Sequence, residues 1–140
     1  MVVEAPAVVQ IVLPFPPSEL SPNSRLHWSQ KRQFVSDYRH ACRVAAQNVR
    51  RDMERQGLTF PLRIPVTAIV TFVLTSRARR IDWDNLIARF KAGQDGLVDA
   101  GVLADDSIQA IGHLGYAWRV GAAQEVRVRL QGGDAPEALL

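Results

Sequence analysis

The residues best equipped for chemistry lie between positions 80 and 106, R-I-D-W-D-N-L-I-A-R-F-K-A-G-Q-D-G-L-V-D-A-G-V-L-A-D-D. Asp82 and Asp84 stand one residue apart, Asn85 follows, Lys91 lies in a segment of helical character, and Asp105 and Asp106 close the stretch. Mg²⁺ takes oxygen ligands, often one or two carboxylates completed by water and phosphate. A pair of such ions can clamp the attacking and leaving oxygens of a phosphodiester. Each carboxylate also has a plainer role. Asp84 or Asn85 suits a helix N-cap, and an Asp-Asp pair after a helix suits a solvated turn. An EF-hand is excluded, because Leu86 and Ile87 occupy the positions where its loop needs a ligand and a glycine. A glycosyltransferase-type Asp-x-Asp stays open, although no nucleotide-binding glycine loop accompanies it.

Taken jointly the pattern is more specific. Asp82-Trp83-Asp84-Asn85, Lys91, Asp95-Gly96-Leu97, Ala100-Gly101 and Asp105-Asp106 resemble the RusA family of Holliday-junction resolvases, homodimeric Mg²⁺-dependent endonucleases of bacteria and their phages. The resemblance is specific over residues 82–106 and looser over 14–120. It implies that Asp82, Asp84 and Asp106, helped by Asp105, hold Mg²⁺ (with Mn²⁺ a possible substitute), and that Lys91 is the catalytic lysine. The gap from Asn85 to Lys91 is about one helical turn longer than in the best-known form of the motif. Three extra residues turn a helix face by about 60°, so Arg89 is a competing candidate for that role.

The elements that must position these residues can be read from periodicity. Val8–Pro14 is β-branched and ends on proline, as a strand does. Residues 29–56 form the longest helical pattern, with an apolar stripe of Phe34, Tyr38, Ala41, Ala45, Val49 and Met53, and with Gly57 as its stop. Val66–Leu74 is a near-continuous apolar run and predicts a central strand buried on both faces. Residues 85–100 predict a second helix ended by Gly101, and residues 108–120 and 124–131 predict two more strands with Gly121, Ala122 and Ala123 between them. The expected fold is α+β, in the order β-α-β-α-β-β, with a mixed sheet and two main helices. A RusA-like, dimeric form of it is what the resemblance implies. Residues 1–131 are expected to be a single endonuclease domain, and 132–140 a disordered tail.

Composition sets the outer bounds. Of 140 residues 47% are apolar and 22% charged, the balance of an ordinary globular chain. The single cysteine, Cys42, cannot form an intrachain disulfide, which suits a reducing cytoplasm. No apolar run approaches the roughly 20 residues of a membrane span, so no membrane partner is expected. The start lacks the basic segment of a signal peptide. The net charge of +3 is modest, but the arginines are clustered. Arg32, Arg39, Arg43 and Arg50 can share one face of the first helix, and Arg77, Arg79 and Arg80 directly precede the aspartates. A basic surface around a small acidic centre is the field expected of a nuclease. Arg32, Arg39, Arg43, Arg77, Arg79 and Arg80 are therefore candidates for DNA-backbone contact. Trp83, between the two aspartates, could stack on bases at a branch point. Lys31 and Lys91 are the only lysines among 17 basic residues, which makes a lysine inside the motif suggestive.

One geometric consequence follows. A helix from Asn85 to Ala100 separates its ends by about 22 Å, and a linker from Gly101 to Asp105 can return at most about 13–16 Å. Either the helix breaks at Gly93 or Gly96, or Asp106 of one subunit meets Asp82 and Asp84 of another across a two-fold axis. The second solution is favoured here. The expected activity is metal-dependent, paired cleavage of branched DNA, most specifically a four-way junction. The alternatives are a non-catalytic branched-DNA-binding protein, for which unneutralised carboxylates are awkward, and a metal-dependent enzyme acting on nucleotides or sugars, for which the arginine stripe is superfluous.

Overall fold

The computed structural model describes residues 8–77 and 80–133. The element order is the expected one: β1 (Val8–Pro14), α1 (Trp28–Arg55), β2 (Val66–Leu74), α2 (Trp83–Asp99), β3 (Ile111–Val120) and β4 (Glu125–Gln131), with one 3-10 turn at Ser18–Leu20. The four strands form one mixed sheet in the order β1-β4-β2-β3. β4 runs antiparallel to both β1 and β2, and β3 runs parallel to β2. The fold is α+β.

Alternation decides which face is covered. Val9, Ile11 and Leu13 of β1, Val126, Val128 and Leu130 of β4, and Ala68, Val70 and Phe72 of β2 point to one side and meet both helices in a single core. The other side carries exposed Val12, Ala117, Arg119, Arg127 and Arg129. β2 is therefore not wholly enclosed. Thr67 and Val73 are buried on the open side, but Ile69 and Thr71 are only half-buried. Neighbouring strands shade them where a second helix layer would have covered them.

α1 buries a slightly different stripe from the expected one. Tyr38, Cys42 and Ala46 are buried and Ala41 is exposed. The shift follows from the second helix, which crosses α1 at its small residues. A side chain at Gly96 would put its Cβ 2.7 Å from the Arg39 carbonyl oxygen and 2.9 Å from Cys42 Cβ. The glycine thus lets two backbones meet rather than breaking α2, which runs through both Gly93 and Gly96. Burial pushes the Cys42 thiol up to about 11, leaving it an inert core group. Both helices end as expected, with Gly57 and Gly101 in the left-handed region at φ 96° and 75°.

The segment after β3 is not a hairpin turn. β4 lies on the far side of β2 from β3, so the chain steps over the end of β2. Gly121 donates its N–H to the Leu74 carbonyl at 2.8 Å, and a Cβ there would come within 2.6 Å of Val73 Cγ1. Of the expected tail, Gly133 is held by a 2.7 Å bond from its N–H to the Arg63 carbonyl, while residues 134–140 lie outside the described residues.

Candidate functional site

β2 ends at Leu74, and α2 begins nine residues later, with Asp82 rather than Asp84 or Asn85 at its N-cap. The Asp82 side chain makes no capping bond. It faces solvent and forms a 3.3 Å ion pair with Arg80, itself 89% exposed in its side chain. Asp84 falls in the first turn, where the helix dipole favours a negative charge, and its Oδ1 accepts the N–H of Asn85 at 2.9 Å. Asn85 and Arg89, one turn apart, lash this end of the helix to the segment after β1. Asn85 Nδ2 donates to Ser21 Oγ at 2.9 Å, and Arg89 donates to the Pro16 carbonyl at 2.6 Å with its guanidinium 5.3 Å from the Phe15 ring. Lys31 donates to the Ser21 carbonyl at 2.9 Å. Between helix and segment opens a cleft of about 540 Å³, lined by Ser18, Ser21, Asn23, Arg80, Asp82 and Asn85 among others.

Further along α2, Lys91 is engaged. Its ammonium donates to Asp95 Oδ1 at 2.8 Å and to Asp106 Oδ2. These bonds hold Lys91 above the usual lysine range, Asp106 contributing most, and the same contact with Lys91 holds Asp106 below the usual carboxylate range. Burial raises Tyr116 on β3, and the Lys91 charge acts on it in the opposite sense. Asp105 is exposed beside the pair. Arg89, the competitor for the lysine role, is buried and serves as the clamp to Pro16.

The arginines divide in the same way. Arg39 grips Asp99 through two bonds of 2.5 and 2.8 Å, Arg50 donates to the Ala100 carbonyl at 3.0 Å, and Arg43 bonds His40 at 3.1 Å. The stripe on α1 thus fastens the end of α2 as well as facing solvent. Arg32 lies over the exposed Trp28 ring at 4.4 Å, and Arg77 over the Trp118 ring at 5.1 Å. Arg79 lies outside the described residues. Trp83 is 43% exposed and rests its inner edge on Phe72 and Tyr116.

Trp118 is the residue that sequence reading passed over. Its signal was an aromatic on the Tyr116 side of a strand that ends beside the basic loop.

The sequence-derived carboxylates are not brought together within one chain. Asp82 and Asp84 stand at the head of α2, and Asp106 joins Lys91 and Asp95 further down. Among the described residues no three of His, Cys, Asp and Glu are grouped as a metal would require. Asp82 and Asp84 alone still offer the one or two carboxylates that Mg²⁺ commonly takes beside water and phosphate. Among the described residues the four carboxylates do not form one cage within the chain.

No protein-family model matches the chain. A protein of Xylella fastidiosa, described only as uncharacterized, is 33% identical over 90 residues, which cover 64% of this chain and 56% of that protein. The chain thus spans little more than half the length of the curated relative it matches. Among the described residues no helix is long and apolar enough to cross a membrane.

Proposed function

We propose that this chain is a RusA-like, Mg²⁺-dependent endodeoxyribonuclease that resolves four-way DNA junctions by paired, symmetric hydrolysis, working in the cytoplasm. The observation that carries the reading is the pair Asp82 and Asp84 at the head of α2, exposed, beside a polar cleft and next to Arg80. In this reading Asp82 and Asp84 hold the ion. Bound there, Mg²⁺ or Mn²⁺ would lower the pKa of a water and offset negative charge on the phosphate. Arg77, Arg79 and Arg80 hold the DNA backbone through charge-assisted contacts. Arg32 and Arg43 extend that surface along α1, where Arg39 is already committed to Asp99. The Lys91 ammonium faces the charge that develops on the phosphate or the leaving 3′ oxygen.

The split carboxylates support a homodimer in which Asp106, with Asp105, completes the site of the other copy. A two-fold axis would then present two sites to a symmetric junction. The engagement of Asp106 by Lys91 favours a second reading, a branched-DNA-binding protein that does not cut. The two part company on an end-labelled synthetic four-way junction incubated with Mg²⁺, with EDTA and with Asp84→Asn. Paired nicks that need the metal and vanish in the variant support the nuclease. Tight binding with no cutting, indifferent to EDTA and to the substitution, leaves the binding protein. For the shared site, mixing Asp84→Asn with Asp106→Asn subunits should restore cleavage in the heterodimers, and failure to restore it would count against shared sites.

A further inference from the structure

Beside the Asp82 cleft lies a smaller cavity of about 250 Å³, lined by Trp83, Trp118, Leu74, Leu86, Arg77 and Arg80 among others. Its two tryptophans are each 43% exposed, so both keep aromatic surface open to solvent at the cavity. Trp83 is held from behind, and Trp118 shares the sheet face that carries Phe72. Trp83 rests on Phe72 at 6.3 Å and Tyr116 at 6.5 Å between centroids, and Trp118 pairs in register with Phe72 across β2 and β3. The Arg77 guanidinium lies 5.1 Å from the Trp118 ring, within the range of a cation–π contact. The volume is below that of sites for drug-sized ligands. Its wall is aromatic and aliphatic, its charges are two guanidiniums, and it adjoins Asp82 in sequence on both sides.

We propose that this cavity is a nucleobase site. It takes one base unstacked from a branched DNA strand against Trp83 and Trp118, with the flanking phosphate on Arg77 and Arg80. This rests on the DNA reading above and adds Trp118 as a residue that sets which nucleotide stands next to the cut. Two aromatic faces with arginines at the rim match the π-face of a base joined to a phosphate. A base already unstacked at a branch point loses the least on entering, so the site favours junctions over plain duplex.

The test is equilibrium binding to synthetic four-way junctions in EDTA, so that no strand is cut. Wild type, Trp118→Ala and Trp118→Phe are each measured on intact junctions and on junctions carrying a single abasic site at successive crossover positions. Trp118→Ala is expected to bind about ten-fold more weakly, with Trp118→Phe close to wild type. One abasic position should weaken wild type by a similar factor and add nothing to Trp118→Ala. Equal affinity of Trp118→Ala and wild type, or an abasic loss that Trp118→Ala suffers in full, would overturn the site. The nuclease reading fails separately. Coupling between Trp118 and one abasic position without Mg²⁺-dependent nicking would keep the base site and remove the nuclease. Normal nicking with no such coupling would do the reverse.

Discussion

At its first turn α2 leaves Asp82 and Asp84 in solvent, whereas from its third turn onward Asp95 is bonded to Lys91 and Asp99 to Arg39. The difference comes from what stands opposite. The later turns cross α1 at Gly96, which brings Arg39 and Arg50 within reach of the helix end. The first turn lies past the end of β2, where the neighbours are the loops at Ser21 and Arg80 and the edge strand β3. Carboxylates of one helix are thus tied to neighbouring side chains by the packing at one end and left facing solvent at the other. Spacing along the sequence does not distinguish the two groups. The partner element does.

The largest expected effect separates the ends by activity. Asp84→Asn should reduce junction cleavage at least about 100-fold with its Tm only slightly lowered, because Asp84 bonds only its own neighbour's N–H among the described residues and gives up no more than its favourable place at the helix N-terminus. Asp99→Asn should leave cleavage near wild type. Equal losses in the two variants, read by initial rates on the same junction, would erase the functional contrast between the ends.

The second effect separates them by stability. Gly96→Leu drives a side chain into the Arg39 carbonyl and Cys42 and should destabilise the fold by about 1–3 kcal/mol in urea denaturation. Trp83→Ala at the other end removes a side chain that is 43% exposed and should cost less. A larger loss at Trp83 than at Gly96 would mean that the head of α2, not the crossing, anchors the helix.

The crossing also explains what could be read in advance and what could not. Element order was legible because β-branched runs, the apolar stripe and the glycine stops are local signals: Val8–Pro14 and Val66–Leu74 agree residue for residue, whereas β3 begins at Ile111 rather than at 108, after a turn in which Ala110 and Ile111 donate to the Ser107 carbonyl. The candidate site was legible only as types and spacing. That Arg39 would be drawn to Asp99 depends on two helices meeting 60 residues apart in sequence, which no local pattern encodes. The unbroken course of α2 through Gly93 and Gly96 is the one favoured from the sequence, but that Gly96 is where α1 crosses was not legible there for the same reason. The start of α2 lies at Trp83 rather than Asn85 because Asp82, with no capping bond of its own, still has the extended backbone of an N-cap.

A smaller effect tests whether the arginine at the crossing is spent. Arg39→Ala removes a bidentate pair whose side chains are 47% and 30% exposed, so its stability loss should stay within about 0.2–1 kcal/mol. Arg32→Ala, with no carboxylate partner among the described residues, should instead weaken junction binding and reduce its salt dependence, as loss of a phosphate contact does. If Arg39→Ala weakens binding as much as Arg32→Ala, the clamp and the DNA surface are one and the same.

The smallest effect concerns the Lys91–Asp106 contact, and its sign follows from the two shifts. Asp106 is held below the usual carboxylate range, so its contribution is present above the ordinary carboxylate pKa and is lost as pH falls through the lowered value. Lys91 is held above the usual lysine range, so its contribution is present below the ordinary lysine pKa and is lost as pH rises through the raised value. The stability difference between wild type and Asp106→Asn should therefore be flat across the neutral range and shrink toward both extremes. Lys91 is 59% exposed in its side chain, which keeps the plateau within about 1 kcal/mol. Urea denaturation of the two proteins from acid to alkaline pH measures it. A difference that persists undiminished in acid would mean that Asp106 acts through packing rather than charge. In that case its bond to Lys91 would not compete with a metal role, and the contrast between the two ends of α2 would rest on Asp95 and Asp99 alone.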